Sequence, residues 1–112
     1  MKERKSFRDL IAWQKGYELA LEVYKLTKVF PSEEKFGMIS QLRRAVSSVP
    51  ANIAEGCERN HTKEFIQFLY IAKGSLGEVE TFLMLSKDLG YIEEQNYQNI
   101  EEMRMETSKV FR

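Results

Sequence analysis

Cys57 and His61 stand four residues apart in GCERNHTKEF, pairing a thiol with an imidazole as a cysteine nucleophile and its base require. The same stretch reads Glu58-Arg59-Asn60-His61, the Glu-x-x-His spacing of di-iron helical bundles. Neither constellation is complete. A di-iron site takes two such motifs and two further glutamates turned inward, and this chain has a single histidine. A thiol nucleophile takes a third residue to orient its base and donors for an oxyanion, and none is legible beside Cys57. Gly74 and Gly77 fall inside a helical pattern, without the strand-turn context of a phosphate-cradling loop. The sequence therefore predicts no catalytic residue, no metal and no cofactor, with Cys57 as a loop thiol and His61 as a solvated imidazole.

The remaining candidates are basic. Lys2, Arg4, Lys5 and Arg8 crowd the N-terminus, and Arg43 and Arg44 are adjacent. Arg43 lies beside the apolar positions Leu42 and Val46, so Arg44 is the more solvent-facing of the two. Such groups suit the phosphates of RNA or DNA, and affinity for phosphate climbs steeply with the number of contacts. The alternative is a solvated helix face or ion pairs between subunits, with Glu55 or Glu78 as acids. The chain of 112 residues carries 17 Lys and Arg against 17 Asp and Glu, a balance that argues against wholesale wrapping in nucleic acid. The charge is uneven, however: residues 1–63 carry +4 (12 basic, 8 acidic) and residues 64–112 carry −4 (5 basic, 9 acidic).

The elements that position these residues follow from composition and period. One domain spanning 1–112 is expected from the length, large enough to bury roughly 65% of its unfolded surface. Six glycines and two prolines leave little room for turns and favour long helices. The single cysteine excludes an intramolecular disulfide, MKERKSFRDL lacks the apolar core of a signal peptide, and no apolar run reaches membrane-spanning length; a cytoplasmic protein is expected.

Ser6, with Asp9 three residues on, reads as a capping arrangement for a helix over about 8–29. That helix carries two adjacent apolar stripes, one through Leu10, Trp13, Tyr17, Leu21 and Tyr24, the other through Ala12, Leu19, Val23, Leu26 and Phe30. Phe30-Pro31-Ser32 ends it. Ser32 reads as the cap of a second helix over about 33–56, with a stripe through Phe36, Ile39, Leu42, Val46, Val49 and Ile53 that stops near Gly56. CERNHTK is a polar link. A third helix, from near Thr62 to the Gly90 stop, has its core stripe at Phe65, Leu69, Ala72, Leu76, Val79 and Leu83. A fourth, over about 94–111, turns Tyr97, Ile100, Met103, Thr107, Val110 and Phe111 inward. Short links between four long helices predict an all-α, antiparallel up-down-up-down four-helix bundle.

SSVPANIAEG interrupts the second stripe with Pro50. A mid-helix proline costs about 3 kcal/mol unless the helix adjusts, yet the stripe continues past it. The sequence therefore predicts a bend at Pro50 rather than an end. The carbonyl freed near Val46 is expected to find Ser47, Ser48 or Asn52. Ala45, Ser48, Ala51 and Ala54 give this helix a thin flank, matched by Ala72, Gly74, Ser75 and Gly77. A close seam follows as the expectation, with Ser48, Asn52, Glu55, Ser75 and Glu78 as its polar members and a cost of about 2 kcal/mol or more for Gly77→Leu through overpacking.

The blocks FRDLIAWQKGYELALEVYKLTKVFP, FGMISQLRRAVSSVPANIAEG and KEFIQFLYIAKGSLGEVETFL resemble the four-helix-bundle family named for the 23S rRNA intervening sequence, also filed under a ribosomal-protein name. The resemblance covers about residues 6–92 and implies a ring-like homopentamer. It further implies kinship with the accessory variability protein of diversity-generating retroelements, a pentamer that binds nucleic acid. In the link, this chain reads CERNHTKE where relatives carry a glycine and more basic residues. A non-enzymatic, nucleic-acid-associated homo-oligomer is the expected function; the alternative is an interaction module that binds a protein partner through its ring surface. Independently of the resemblance, the two stripes of the first helix exceed the arc one bundle can bury and predict a partner, with every basic residue repeated around the symmetry axis.

Overall fold

Ser6 does cap the first turn, but the turn is a short 3-10 one. Its side chain accepts from the Arg8 amide (3.2 Å) over Phe7–Asp9, and the α-helix begins only after Leu10 turns extended. The structure, a computed structural model, describes residues 6–111. Four helices follow: α1 (Ile11–Thr27), α2 (Met38–Glu58), α3 (Thr62–Asp88) and α4 (Glu94–Lys109). No strand occurs among the described residues. α2 packs against α1 and α3, while α4 closes the bundle against the same two. α1 and α3 therefore occupy opposite corners and run in the same direction, in an elongated body of 53 × 25 × 19 Å.

The core is built from the stripes with regular spacing. Leu42, Val46, Val49 and Ile53 of α2, Leu19 and Val23 of α1, and Ala72, Leu76, Val79 and Leu83 of α3 are all buried. Ile100 and Thr107 of α4 join them. α2 is one helix through Pro50, whose ring is buried against α1 at Gly16. A Cβ at Gly16 would sit 2.9 Å from Val49 Cγ1 and 3.5 Å from Pro50 Cδ, so α1 offers a notch where α2 carries its proline.

Several expectations require correction. Phe36 is 88% exposed, because Ser32–Glu34 forms a 3-10 turn and α2 starts only at Met38. Ser32 does not cap α2; the Glu34 carboxylate does, accepting from the Met38 amide at 2.9 Å and from the Tyr91 hydroxyl at 2.7 Å. Gly56 does not end α2, which runs to Glu58, and Asn60, with φ of 62°, makes the reversal. The hydroxyls and amide expected at the Val46 carbonyl go elsewhere: Ser47 to Arg44 O, Ser48 to Ala45 O and Asn52 to Ser48 O. Val110 is exposed. At the other end of α3 the reading holds. Gly90, with φ of 84°, donates to Lys87 O while Tyr91 donates to Ser86 O, the two bonds of a Schellman stop.

Two predictions arise from these contacts. The amide of Met38 and the hydroxyl of Tyr91 hold the Glu34 carboxyl below the ordinary value of 4.5. A depressed folded-state value means stabilisation that is present above the unfolded value and lost as pH falls through the folded one. The melting-temperature gap between the parent and Glu34→Gln should therefore be open at pH 7 and narrow as pH falls below the ordinary value of 4.5; a gap constant with pH would show that the charge contributes nothing. The second concerns Ser86, whose buried Oγ has no hydrogen-bond partner. An unpaired buried hydroxyl costs about 1–3 kcal/mol, so Ser86→Ala should raise the urea midpoint rather than lower it.

Candidate functional site

Among the described basic candidates, Arg8 does not converge with Arg43 and Arg44 on one protomer. Arg43 is committed to the C-terminal end of α1, where Nε donates to Thr27 Oγ1 (2.9 Å) and Nη2 to Tyr24 O (3.3 Å). Its guanidinium lies 4.6 Å from the centre of the Tyr24 ring. A cation there answers the negative end of the helix dipole and the last carbonyls of α1. Arg44 donates to Glu78 (3.0 Å) and Gln41 (3.1 Å), tying α2 to α3 as an exposed ion pair within one chain. Arg8 stands before the opposite end of α1, about 25 Å from Arg43 by helix rise, with its guanidinium 5.2 Å from the Phe7 ring centre. Lys2, Arg4 and Lys5 lie outside the described residues.

The polar candidates divide. Ser48 and Ser75 share a hydrogen bond of 2.6 Å across the α2–α3 seam, and Ser75 Oγ also reaches Ile71 O at 3.2 Å. The Asn52 amide donates to Ser48 O (2.7 Å), within the same helix. Glu55 leaves the seam and pairs with Arg59 one turn on (3.3 Å). Glu78 belongs to Arg44.

The glycines of the seam are not where the thin flank predicts. A Cβ at Gly74 or Gly77 would meet nothing within 4 Å, and both residues are exposed. The expected overpacking of Gly77→Leu within the protomer is therefore overturned. The close approach of α2 and α3 is at Gly56, where a Cβ would lie 2.7 Å from Phe68 Cβ and 3.3 Å from Phe65 Cα. Gly74 and Gly77 each cost about 1 kcal/mol of helix stability relative to alanine, with no compensating close approach among the described residues.

Cys57 lies in the last turn of α2 and His61 precedes α3; they border one hollow together with Gly56, Asn60, Thr62, Phe65 and Leu10. Among the described residues no group of three or more His, Cys, Asp and Glu is arranged to hold a metal. A larger groove of about 530 Å³ runs between the start of α1, the first half of α3 and the end of α4, lined by apolar side chains with Lys73 as its one charge among the described residues. Among the described residues no helix is long and apolar enough to cross a membrane.

The prominent exposed feature is apolar. Phe7 tilts against Trp13 (5.3 Å between ring centres), and Trp13 stacks on Tyr17 (4.9 Å). The line continues outward along α1 through Tyr17 (47% exposed), Leu21 (50%) and Tyr24 (40%). Of the two stripes on this helix, the one through Leu19 and Val23 faces the core and this one faces out.

Fold and surface together define a helical bundle with an unpartnered apolar flank and no assembled catalytic centre among its described residues. Residues 8–112 match the description 23S rRNA-intervening sequence protein, and the chain belongs to that family. A crystal structure from Bacteroides thetaiotaomicron, described as a protein with unknown function from the S23 ribosomal protein family, superposes with a TM-score of 0.80 at 28% identity, over 90% of this chain and 94% of that one. No curated protein matches the chain.

Proposed function

We propose that this protein works as a cytoplasmic, non-enzymatic homo-oligomer, a ring by its family resemblance and pentameric by the same resemblance, that associates with nucleic acid. The observation that carries the assembly is the outward stripe of α1, with Tyr17, Leu21 and Tyr24 40–50% exposed on one side of one helix. A contiguous apolar patch of this kind, rimmed by charge, marks a partner surface. Nucleic acid is favoured by the family description and by the N-terminal group Lys2, Arg4, Lys5 and Arg8, which ring symmetry repeats. Arg43 and Arg44 serve the protomer in this reading, because each already answers partners within its own chain.

That commitment of Arg43 and Arg44 favours a second reading, a scaffold whose ring surface takes a protein partner. Fluorescence anisotropy with generic single- and double-stranded RNA and DNA at two salt concentrations separates the two. The nucleic-acid reading expects binding that weakens with salt and is lost when residues 1–5 are removed and Arg8 becomes Glu. No binding at low salt leaves the protein-partner scaffold. Light scattering should report several times the 13.2 kDa chain mass; a monomer would remove both readings of the ring.

A further inference from the structure

α3 is apolar on the side away from the core as well as on the side toward it. Ile66, Tyr70 (69% exposed) and Met84 share its outward face with Gly74 and Gly77. Helical spacing sets these five in one line, with the glycines in the middle and the larger side chains at either end. An exposed apolar line of this kind, flanked by charge, marks a partner surface. The glycines make the centre of that face a shallow trough, since among the described residues nothing lies within 4 Å of a Cβ at either.

α1 presents the reverse shape, a ridge made by Tyr17, Leu21 and Tyr24. Because α1 and α3 hold opposite corners of the bundle, ridge and trough point to opposite sides of the protomer. We propose that the α1 ridge of one copy seats on the α3 trough of the next, head to tail and with the helices parallel, placing Tyr17 and Leu21 over Gly74 and Gly77. This rests on the oligomeric reading and names the surfaces that make it.

Charge selects both the register and the direction. With Tyr17 and Leu21 over the two glycines, Glu18 comes beside Lys73. Asp9 falls within about one turn of Lys63, and Lys28 within about one turn of Asp88. All six are on the surface. The antiparallel alternative would bring Lys28 toward Lys63 and Asp9 toward Asp88, like against like. Parallel packing is also what rotation about an axis along the bundle produces, since α1 and α3 run the same way. Pairing α3 with α3 around a two-fold axis would cover the trough but leave the ridge of α1 in water. Two different surfaces on opposite sides give a heterologous contact, which closes into a ring when the rotation allows.

Complementation tests this with full-length protein. Leu21→Glu spoils the ridge and leaves the trough; Gly77→Leu fills the trough and leaves the ridge, its new side chain entering open space in the protomer. Each variant alone should keep its helical circular dichroism and fall to the 13.2 kDa monomer in light scattering. Mixed at high concentration, the two should combine one to one, because one good ridge meets one good trough. Tyr17→Lys and Gly74→Leu form a second pair should either variant lose its helicity. A variant that keeps the parent mass, or a mixture that stays monomeric, overturns the contact while an oligomeric parent still stands. A two-fold α3 contact would show as a Leu21→Glu homodimer. A monomeric parent sinks the oligomeric reading itself.

Discussion

Gly56→Val is expected to destabilise the protein by about 2–3 kcal/mol, seen as a fall of roughly 10 °C in melting temperature. A Cβ at this position would lie 2.7 Å from Phe68 Cβ and 3.3 Å from Phe65 Cα. Two of the three nearest atoms are therefore backbone or first side-chain carbons, which cannot rotate away. The first turns of α3 would have to move off α2, opening the seam that Ser48 and Ser75 bridge further along. Alanine carries the same Cβ, so Gly56→Ala should also lose stability although alanine is the better helix former by about 1 kcal/mol. Gly77→Ala is the control. Its Cβ enters open space, so in a monomeric background it should stabilise by roughly the propensity difference. Equal melts for the two alanine variants would show that the approach at Gly56 is looser than the geometry has it.

That contrast shows what a linear sequence reveals and what it hides. Leu42, Val46, Val49 and Ile53 recur in steps of three and four, and such a stripe fixes its own face. The stop at Gly90 was legible too, because a positive φ is a local requirement that glycine meets. A glycine inside a helix carries two opposite meanings, close approach or open space. The difference lies entirely in a neighbour supplied by another element. Gly16 and Gly56 have such a neighbour; Gly74 and Gly77 do not. Phe36 misled for a related reason: its spacing continued the stripe of α2, but the helix had not yet begun at that residue.

The surface was harder to read than the core. Both stripes of α1 are apolar, and spacing alone does not say which one turns inward. Packing chose Leu19 and Val23, which fit among α2 side chains, and left the bulkier Tyr17 and Tyr24 outside. For Arg43 and Arg44 the sequence offered phosphate contacts or ion pairs between subunits with Glu55 or Glu78, and it could not show that the partners, Thr27 and Glu78, lie 16 and 34 residues away in the same chain. Adjacent arginines are legible as charge, and whether that charge is already answered is a property of the tertiary fold.

Arg104 was not among the residues expected on the inner face of α4, and its environment gives the second large prediction. It is 8% exposed, buried more deeply than any other described basic residue. Its Nε donates to both oxygens of Glu101, at 2.9 and 3.0 Å, and Nη2 reaches Glu80 of α3 at 3.1 Å. The Glu101 hydrogen bonds hold the guanidinium firmly protonated against the opposing effect of burial. Glu101→Ala would strand a charge in a largely dry site with only the half-exposed Glu80 left, and a loss of about 2–3 kcal/mol is expected in urea unfolding. Glu80→Ala should cost under about 1 kcal/mol, because that carboxylate is 45% exposed and water can replace it. The two readings of such a cluster, net stabiliser or satisfied liability, separate in the double variant. If the penalty comes from the unanswered cation, Arg104→Met on the Glu101→Ala background should restore most of the lost stability, since the methionine stem refills the volume without the charge. If the double variant stays as unstable as Glu101→Ala, then the Arg104–Glu101 pair itself, rather than the avoided burial of one charge, is what stabilises this part of α4.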